Sequence, residues 1–150
     1  MRMLLACLAA FVAAAPAGAS ELRYVTHNGS EMVMVIGDVS EDVSPIEIYY
    51  GTPSEKMRNL VSAGTLFFKG SIGWETGIVE GKAQVYKRSC PAQEYYASGV
   101  FSGAGSARGN LQLHGVAPVF GQGRGNCSVG RYAFNRNSTL TFAPLVARGR

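Results

Sequence analysis

Histidine and cysteine are scarce in this chain: His27 and His114, with Cys7, Cys90 and Cys127, are the whole supply. A zinc finger or zinc ribbon is excluded, because those frameworks need more ligands at closer spacing. Charged residues make up only 16%, yet apolar residues reach 47%, so the low charge does not signal disorder. The 19 glycines follow no three-residue period, which excludes a collagen-like rod. The phosphate-binding and nucleophile-elbow glycine motifs are missing, and so is any run of five like charges. Beyond residue 20 no apolar stretch approaches 18 residues, so the mature chain is expected to make no stable membrane insertion. A length of 150 residues suits one domain.

What is present begins with an address. Arg2 is followed by an unbroken apolar run over residues 4–15 and then by Pro16-Ala17-Gly18-Ala19-Ser20. A short positive region, an apolar region and an Ala-x-Ala site are the parts of a secretory signal peptide. The expected cut precedes Ser20, with a cut after Ala17 as the near alternative. Leu4-Leu5-Ala6-Cys7 resembles a lipobox, but only six residues precede Cys7 and the apolar run continues past it. Cys7 is therefore expected to leave with the signal. The predicted organisation is a signal peptide over 1–19, one β domain over 20–144 and a basic tail over 145–150. The predicted location is periplasmic or extracellular. There the two remaining cysteines, Cys90 and Cys127, have one possible intramolecular pairing and are expected to form a disulfide.

Period-two alternation of Val, Ile, Tyr, Phe and Thr, punctuated by glycine, recurs along the mature chain. It predicts strands over 22–26, 31–36, 46–50, 65–69, 78–87, 95–101, 110–114, 128–134 and 139–142. Asn28-Gly29 between the first two is the preferred centre of a tight hairpin turn. Residues 55–61 form the one candidate helical piece, capped by Ser54, with Met57, Leu60 and Val61 on one face. The fold class is all-β: a small antiparallel barrel or sandwich of about eight strands.

Charge is unevenly placed. Residues 21–80 balance to −5 and residues 81–150 to +8, Glu94 being the single acid of the second stretch. Such asymmetry either marks an anionic partner, such as an acidic polysaccharide or a lipid headgroup, or cancels when the two halves fold together. Cancellation is the expectation. Nucleic acid is not expected, because no aromatics are interleaved with clustered Lys or Arg.

Candidate chemistry is thin. His27 and His114 are the available general bases, but neither lies in a nucleophile signature. His27 reads as a turn residue and His114 as part of a strand's polar face. No catalytic residue, metal site or cofactor is predicted. Asp38, Glu41 and Asp42 lack the spacing of a calcium loop. Trp74, an aromatic suited to stacking on sugars, sits near Glu75 and Glu80. Two glycine-rich loops, at 103–109 and 121–126, carry Arg108 and Arg124; they read as long hairpin connections, with anion cradling as the alternative. The loops holding His27, Asn28, Trp74, Arg108 and Arg124 are the candidate binding elements.

Several landmarks occur together. They are His27-Asn28-Gly29-Ser30 with Met32, then Ile48, Tyr49 and Pro53, then Gly64-Thr65-Leu66-Phe67-Phe68 with Gly70. Gly81, Ala83, Tyr86, Cys90, Tyr96, Ser98 and Gly99 follow, then Leu111, Leu113, Gly115, Ala117-Pro118, Cys127, Leu140 and Phe142. In their order and spacing the chain resembles an uncharacterised exported β-rich module of rhizobia and related alphaproteobacteria. That module stands alone or follows a caspase-like peptidase domain. The resemblance implies an extracytoplasmic β domain with a cysteine pair and implies no activity. It departs at Pro53-Ser54-Glu55-Lys56-Met57, where related chains carry Pro-Arg followed by Gly-Leu.

The functional expectation is an exported, non-enzymatic envelope module that binds a protein or a cell-wall glycan through its loops. An inhibitor of a secreted hydrolase is one alternative, and a small hydrolase using His27 is the other.

Overall fold

The computed structural model describes residues 20–145, apart from 40, 104 and 107. The expected signal peptide and nearly all of the basic tail lie outside the described residues. Ten strands are present: β1 (Glu21–His27), β2 (Ser30–Ile36), β3 (Val43–Thr52), β4 (Leu66–Gly73), β5 (Ile78–Val85), β6 (Gln93–Ser102), β7 (Asn110–Gly115), β8 (Ala117–Phe120), β9 (Val129–Ala133) and β10 (Thr139–Pro144). Eight of them close a barrel in the order β1-β10-β7-β6-β5-β4-β3-β2, and every neighbouring pair is antiparallel. The choice between barrel and sandwich is thereby settled for the barrel. Strands β8 and β9 form a separate two-stranded sheet inserted between β7 and β10.

Burial alternates along most of the barrel strands, while in β4 the adjacent Phe67 and Phe68 are both buried. In β2, Met32, Met34 and Ile36 are buried while Glu31 is exposed. In β3, Ile46, Ile48 and Tyr50 point inward. Phe68, Ile72, Val79, Leu111, Leu113 and Phe142 fill the interior from the other strands. An eight-stranded barrel is just wide enough for side chains to fill it or for one small ligand. Closure leaves no free barrel edge to template association.

The first turn follows from its residues. Asn28 and Gly29 take φ of 48° and 78°, as a two-residue hairpin of the primed type needs. Gly99 serves close approach instead: a Cβ there would lie 1.8 Å from the Gln112 carbonyl oxygen.

Two local expectations are corrected, and one strand appears that was not expected. Residues 54–61 form successive hydrogen-bonded turns, not a helix, with Met57 and Arg58 N–H groups donating to the Ser54 carbonyl and Leu60 and Val61 to that of Met57. Pro53 and Gly64 leave too few residues to nucleate a helix, and packing of Met57, Leu60 and Val61 onto the barrel fixes the turns instead. The strand expected to run to Lys87 ends at Val85, and Lys87 leaves the sheet to meet the β8–β9 loop. Strand β8 has four residues, one of them Pro118, and shows no alternation to read.

Strict up-and-down connection sorts the loops by end. The turn at 28–29, the long connection at 53–65, the connection at 86–92 and the β8–β9 excursion share one end, called here the mouth. The connections at 37–42, 74–77 and 103–109 share the far end. Among the described residues no helix is long and apolar enough to cross a membrane.

Candidate binding cavity at the barrel mouth

The interior is packed through its middle but not at the mouth. A cavity of about 620 Å³ opens there. Its wall is aromatic and aliphatic, built from His27, Tyr50, Phe67, Tyr86, Tyr95 and Leu140, and Met57 and Leu60 lean in from the turns after β3. Its polar lining comes from Asn28, Ser30, Ser54, Lys56, Gln84, Arg136 and Asn137, with no Asp or Glu.

His27 is the last residue of β1 and is buried, only 7% exposed, so it is a wall residue and not the turn residue expected. Its ring stacks on Phe142 at 4.9 Å between centroids and tilts against Phe67 at 5.2 Å. Nδ1 lies 3.0 Å from the Thr141 carbonyl oxygen, which can only accept, so Nδ1 carries the proton. Nε2 then accepts from the Asn28 side-chain amide at 3.1 Å. Burial pushes the imidazole pKa below its ordinary value, partly offset by the Thr141 carbonyl. The ring is thus neutral, with both nitrogens engaged. Among the described residues no hydroxyl or thiol hydrogen-bonds to it.

The tyrosines differ from one another. Tyr86 O–H donates to the Leu66 carbonyl and Tyr95 O–H to that of Asn137. Burial pushes both phenols up to about 12. Tyr50 is 3% exposed and packs edge-on against Phe67 and Tyr86, yet its hydroxyl has no hydrogen-bond partner among the described residues. Among the described residues no fully buried side-chain polar atom lacks a hydrogen bond, so the Tyr50 oxygen is not fully enclosed and faces the open cavity. Burial, with Tyr86 nearby, raises the Tyr50 phenol well above its ordinary value, so it stays protonated and able to donate.

Two connections brace this end. Cys90, after β5, and Cys127, before β9, form the expected disulfide, with Cα atoms 5.3 Å apart. Lys87 Nζ donates to the carbonyl oxygens of Gly121, Gly123 and Asn126 at 2.8, 3.1 and 2.7 Å. The glycine loop at 121–126 therefore turns carbonyls onto a cation; its hairpin geometry is the one expected.

The end loops differ in charge. The mouth end carries Lys56, Arg58, Lys87, Arg88, Arg124, Arg131 and Arg136 against Glu55. The far-end connections carry Asp38, Glu41, Asp42 and Glu75 against Arg108. The ion pairs lie on the walls, Arg23–Glu21, Lys69–Glu47 and Lys82–Glu94 at 2.6, 2.8 and 3.1 Å, and each joins residues of one half of the chain, so none of the three pairs the acidic half with the basic half. Alternation of connections between ends makes the barrel electrically polar.

The candidate residues are consequently divided. His27 and Asn28 meet at the cavity. Arg124 is exposed on the same end, at the β8–β9 loop and outside the cavity lining. Trp74 and Arg108 lie at the far end. Trp74 is half-buried, and its indole N–H donates to Ser44 Oγ at 2.7 Å, which fixes it against the acidic connection. Arg108 is exposed. Sequence reasoning passed over Tyr50, Tyr86, Tyr95, Lys56 and Arg136. The doublets Tyr49-Tyr50 and Tyr95-Tyr96 held a signal, because strand alternation must turn one ring of each inward. Compared with protein-family models, curated proteins and solved structures, the chain matches none.

Proposed function

We propose that the chain is a non-enzymatic binding module of an extracytoplasmic compartment, and that part of its ligand enters the barrel mouth. The mouth cavity carries this reading. Small barrels fill their interiors with side chains unless something else is to occupy them. Here the packing stops one layer short, and the gap has the size of ordinary ligand sites, about 300–1,000 Å³. A concave site favours insertion of one group, whether that group is free or carried by an envelope protein or a cell-wall glycan.

The non-enzymatic part rests on His27. A general base needs a free lone pair within reach of a nucleophile. The Nε2 lone pair is taken by Asn28 and the Nδ1 proton by Thr141. The extracytoplasmic part rests on the disulfide, which persists in oxidising compartments, together with the signal-like N-terminus.

Native mass spectrometry tests the reading. The mature chain is incubated with a small-molecule extract of the producing cell's envelope, beside the Met57→Trp/Leu60→Trp variant, whose indoles fill the mouth. A bound mass on the parent that is lost from the folded variant is expected. Equal retention by the filled variant, or no adduct on either, would refute it.

A further inference from the structure

We infer that the mouth cavity is built for an amphipathic organic anion: an apolar ring or short chain that carries a single carboxylate. This deepens the proposed function and rests on the mouth being the binding site.

Three observations fix the class. The wall offers five rings, His27, Tyr50, Phe67, Tyr86 and Tyr95, and only one of their polar atoms is free for a ligand. Both His27 nitrogens and the Tyr86 and Tyr95 hydroxyls are already bonded within the protein. The part of the occupant that lies against these rings is therefore apolar, because polar atoms there would lose water and find no partner among them.

The free polar atom is the Tyr50 hydroxyl. It belongs to a residue 97% removed from solvent, and it hydrogen-bonds to no described residue. Its phenol is protonated, so it offers a donor to an acceptor on the ligand. Tyr50 lies two residues before the end of β3, one layer beneath the rim.

At the rim stand Lys56 and Arg136, both exposed and both lining the cavity. Neither makes an ion pair or a side-chain hydrogen bond with a described residue. Lys56 enters from the connection after β3 and Arg136 from the connection before β10, on opposite sides of the ring of strands. No carboxylate lines the cavity, and the surrounding loops add five more cations against Glu55. A neutral ligand would leave this arrangement unused, and a cationic one would be repelled. A carboxylate at the rim pairs with both cations and accepts from Tyr50 O–H, while its apolar body lies against Phe67 and Leu140.

Matched pairs of probes separate the head from the body: decanoate with decan-1-ol, and 2-naphthoate with 2-naphthylmethanol. Affinities are measured by titration calorimetry on the mature chain. The carboxylates should bind about tenfold tighter than their alcohols at low salt, from charge-assisted pairing with two cations. That preference should shrink toward unity in 0.5 M NaCl, where the Debye length is only a few ångströms. Lys56→Gln/Arg136→Gln should lower carboxylate affinity about tenfold and leave the alcohols within about twofold. Tyr50→Phe, which keeps the ring, should weaken both members of each pair about fivefold, one hydrogen bond's worth.

Equal affinity of carboxylate and alcohol, with both blocked by Met57→Trp/Leu60→Trp, would overturn the anion class and leave the binding-module reading standing. Tighter binding of the alcohols would do the same. Absence of binding by every probe would overturn the inference, while the envelope-extract experiment still decides the broader reading.

Discussion

Replacing the cysteines with serine, Cys90→Ser/Cys127→Ser, should cost a large part of the stability of this domain. The two residues are separated by 37 positions, and the loop they close contains β6, β7 and β8. Two of those strands belong to the barrel, so the constraint acts on the global fold and not on a peripheral hairpin alone. In the chain-entropy model a closed loop of that length removes about 13 cal/mol/K from the unfolded chain, or about 4 kcal/mol at 25 °C. A Cα separation of 5.3 Å lies inside the range disulfides normally span. For a domain whose total stability is about 5–15 kcal/mol, the variant should melt roughly 10–20 °C lower. Urea denaturation of the parent, the reduced parent and the variant measures this. The reduced parent and the variant should coincide, both far below the oxidised parent. A variant within about 1 kcal/mol of the oxidised parent would refute the entropy reasoning, because the loop length leaves no room for so small an effect. Two reactive thiols in the denatured, unreduced parent would refute the bond itself.

His27 supplies a pH-dependent contribution. Its folded pKa is depressed by burial, so the unfolded chain binds the proton more readily. The contribution is fully present above the ordinary value of 6.5 and is lost as pH falls through the folded value. His27→Phe keeps the stacking, loses two hydrogen bonds worth about 1–2 kcal/mol at neutral pH, and should flatten the decline below pH 6.5 in urea titrations; an unchanged slope would contradict the assignment. Gly99→Ala places a methyl 1.8 Å from the Gln112 oxygen and should cost about 2–4 kcal/mol as β6 and β7 part, checked by thermal melting; a neutral effect would contradict the close approach. Trp74→Phe removes the bond to Ser44 and should cost about 1 kcal/mol without changing binding at the mouth; loss of binding would move the site to the far end.

Much of the barrel was legible because its strands are half-buried. One face meets the core and the other meets water, so Leu111 and Leu113 alternate visibly with Asn110, Gln112 and His114 in β7. Strand β8 was not, since its Ala117 and Pro118 are both buried and show no alternation. The turns at 54–61 carried helical spacing because Met57, Leu60 and Val61 must pack onto the core together, a demand that stacked turns meet as well as a helix does. The candidate site was legible in residue type and not in place. His27 beside Asn28-Gly29 reads as turn chemistry, and only closure of β1 against β10 shows that its ring lies inside. The charge asymmetry was visible as a count. Its separation into two poles depends on which connection falls at which end, a property of the whole topology that no local pattern carries.

The claim that a ligand enters the mouth of the barrel is tested most directly by residue-resolved titration. Amide resonances of a chain spanning residues 20–150 are followed by NMR as decanoate is added. Shifts concentrated at His27, Tyr50, Lys56, Tyr95 and Asn137, with Trp74 and Arg108 unmoved, are the predicted result. Shifts centred on the far end around Trp74, or spread evenly over the outer face of the strands, would contradict the account.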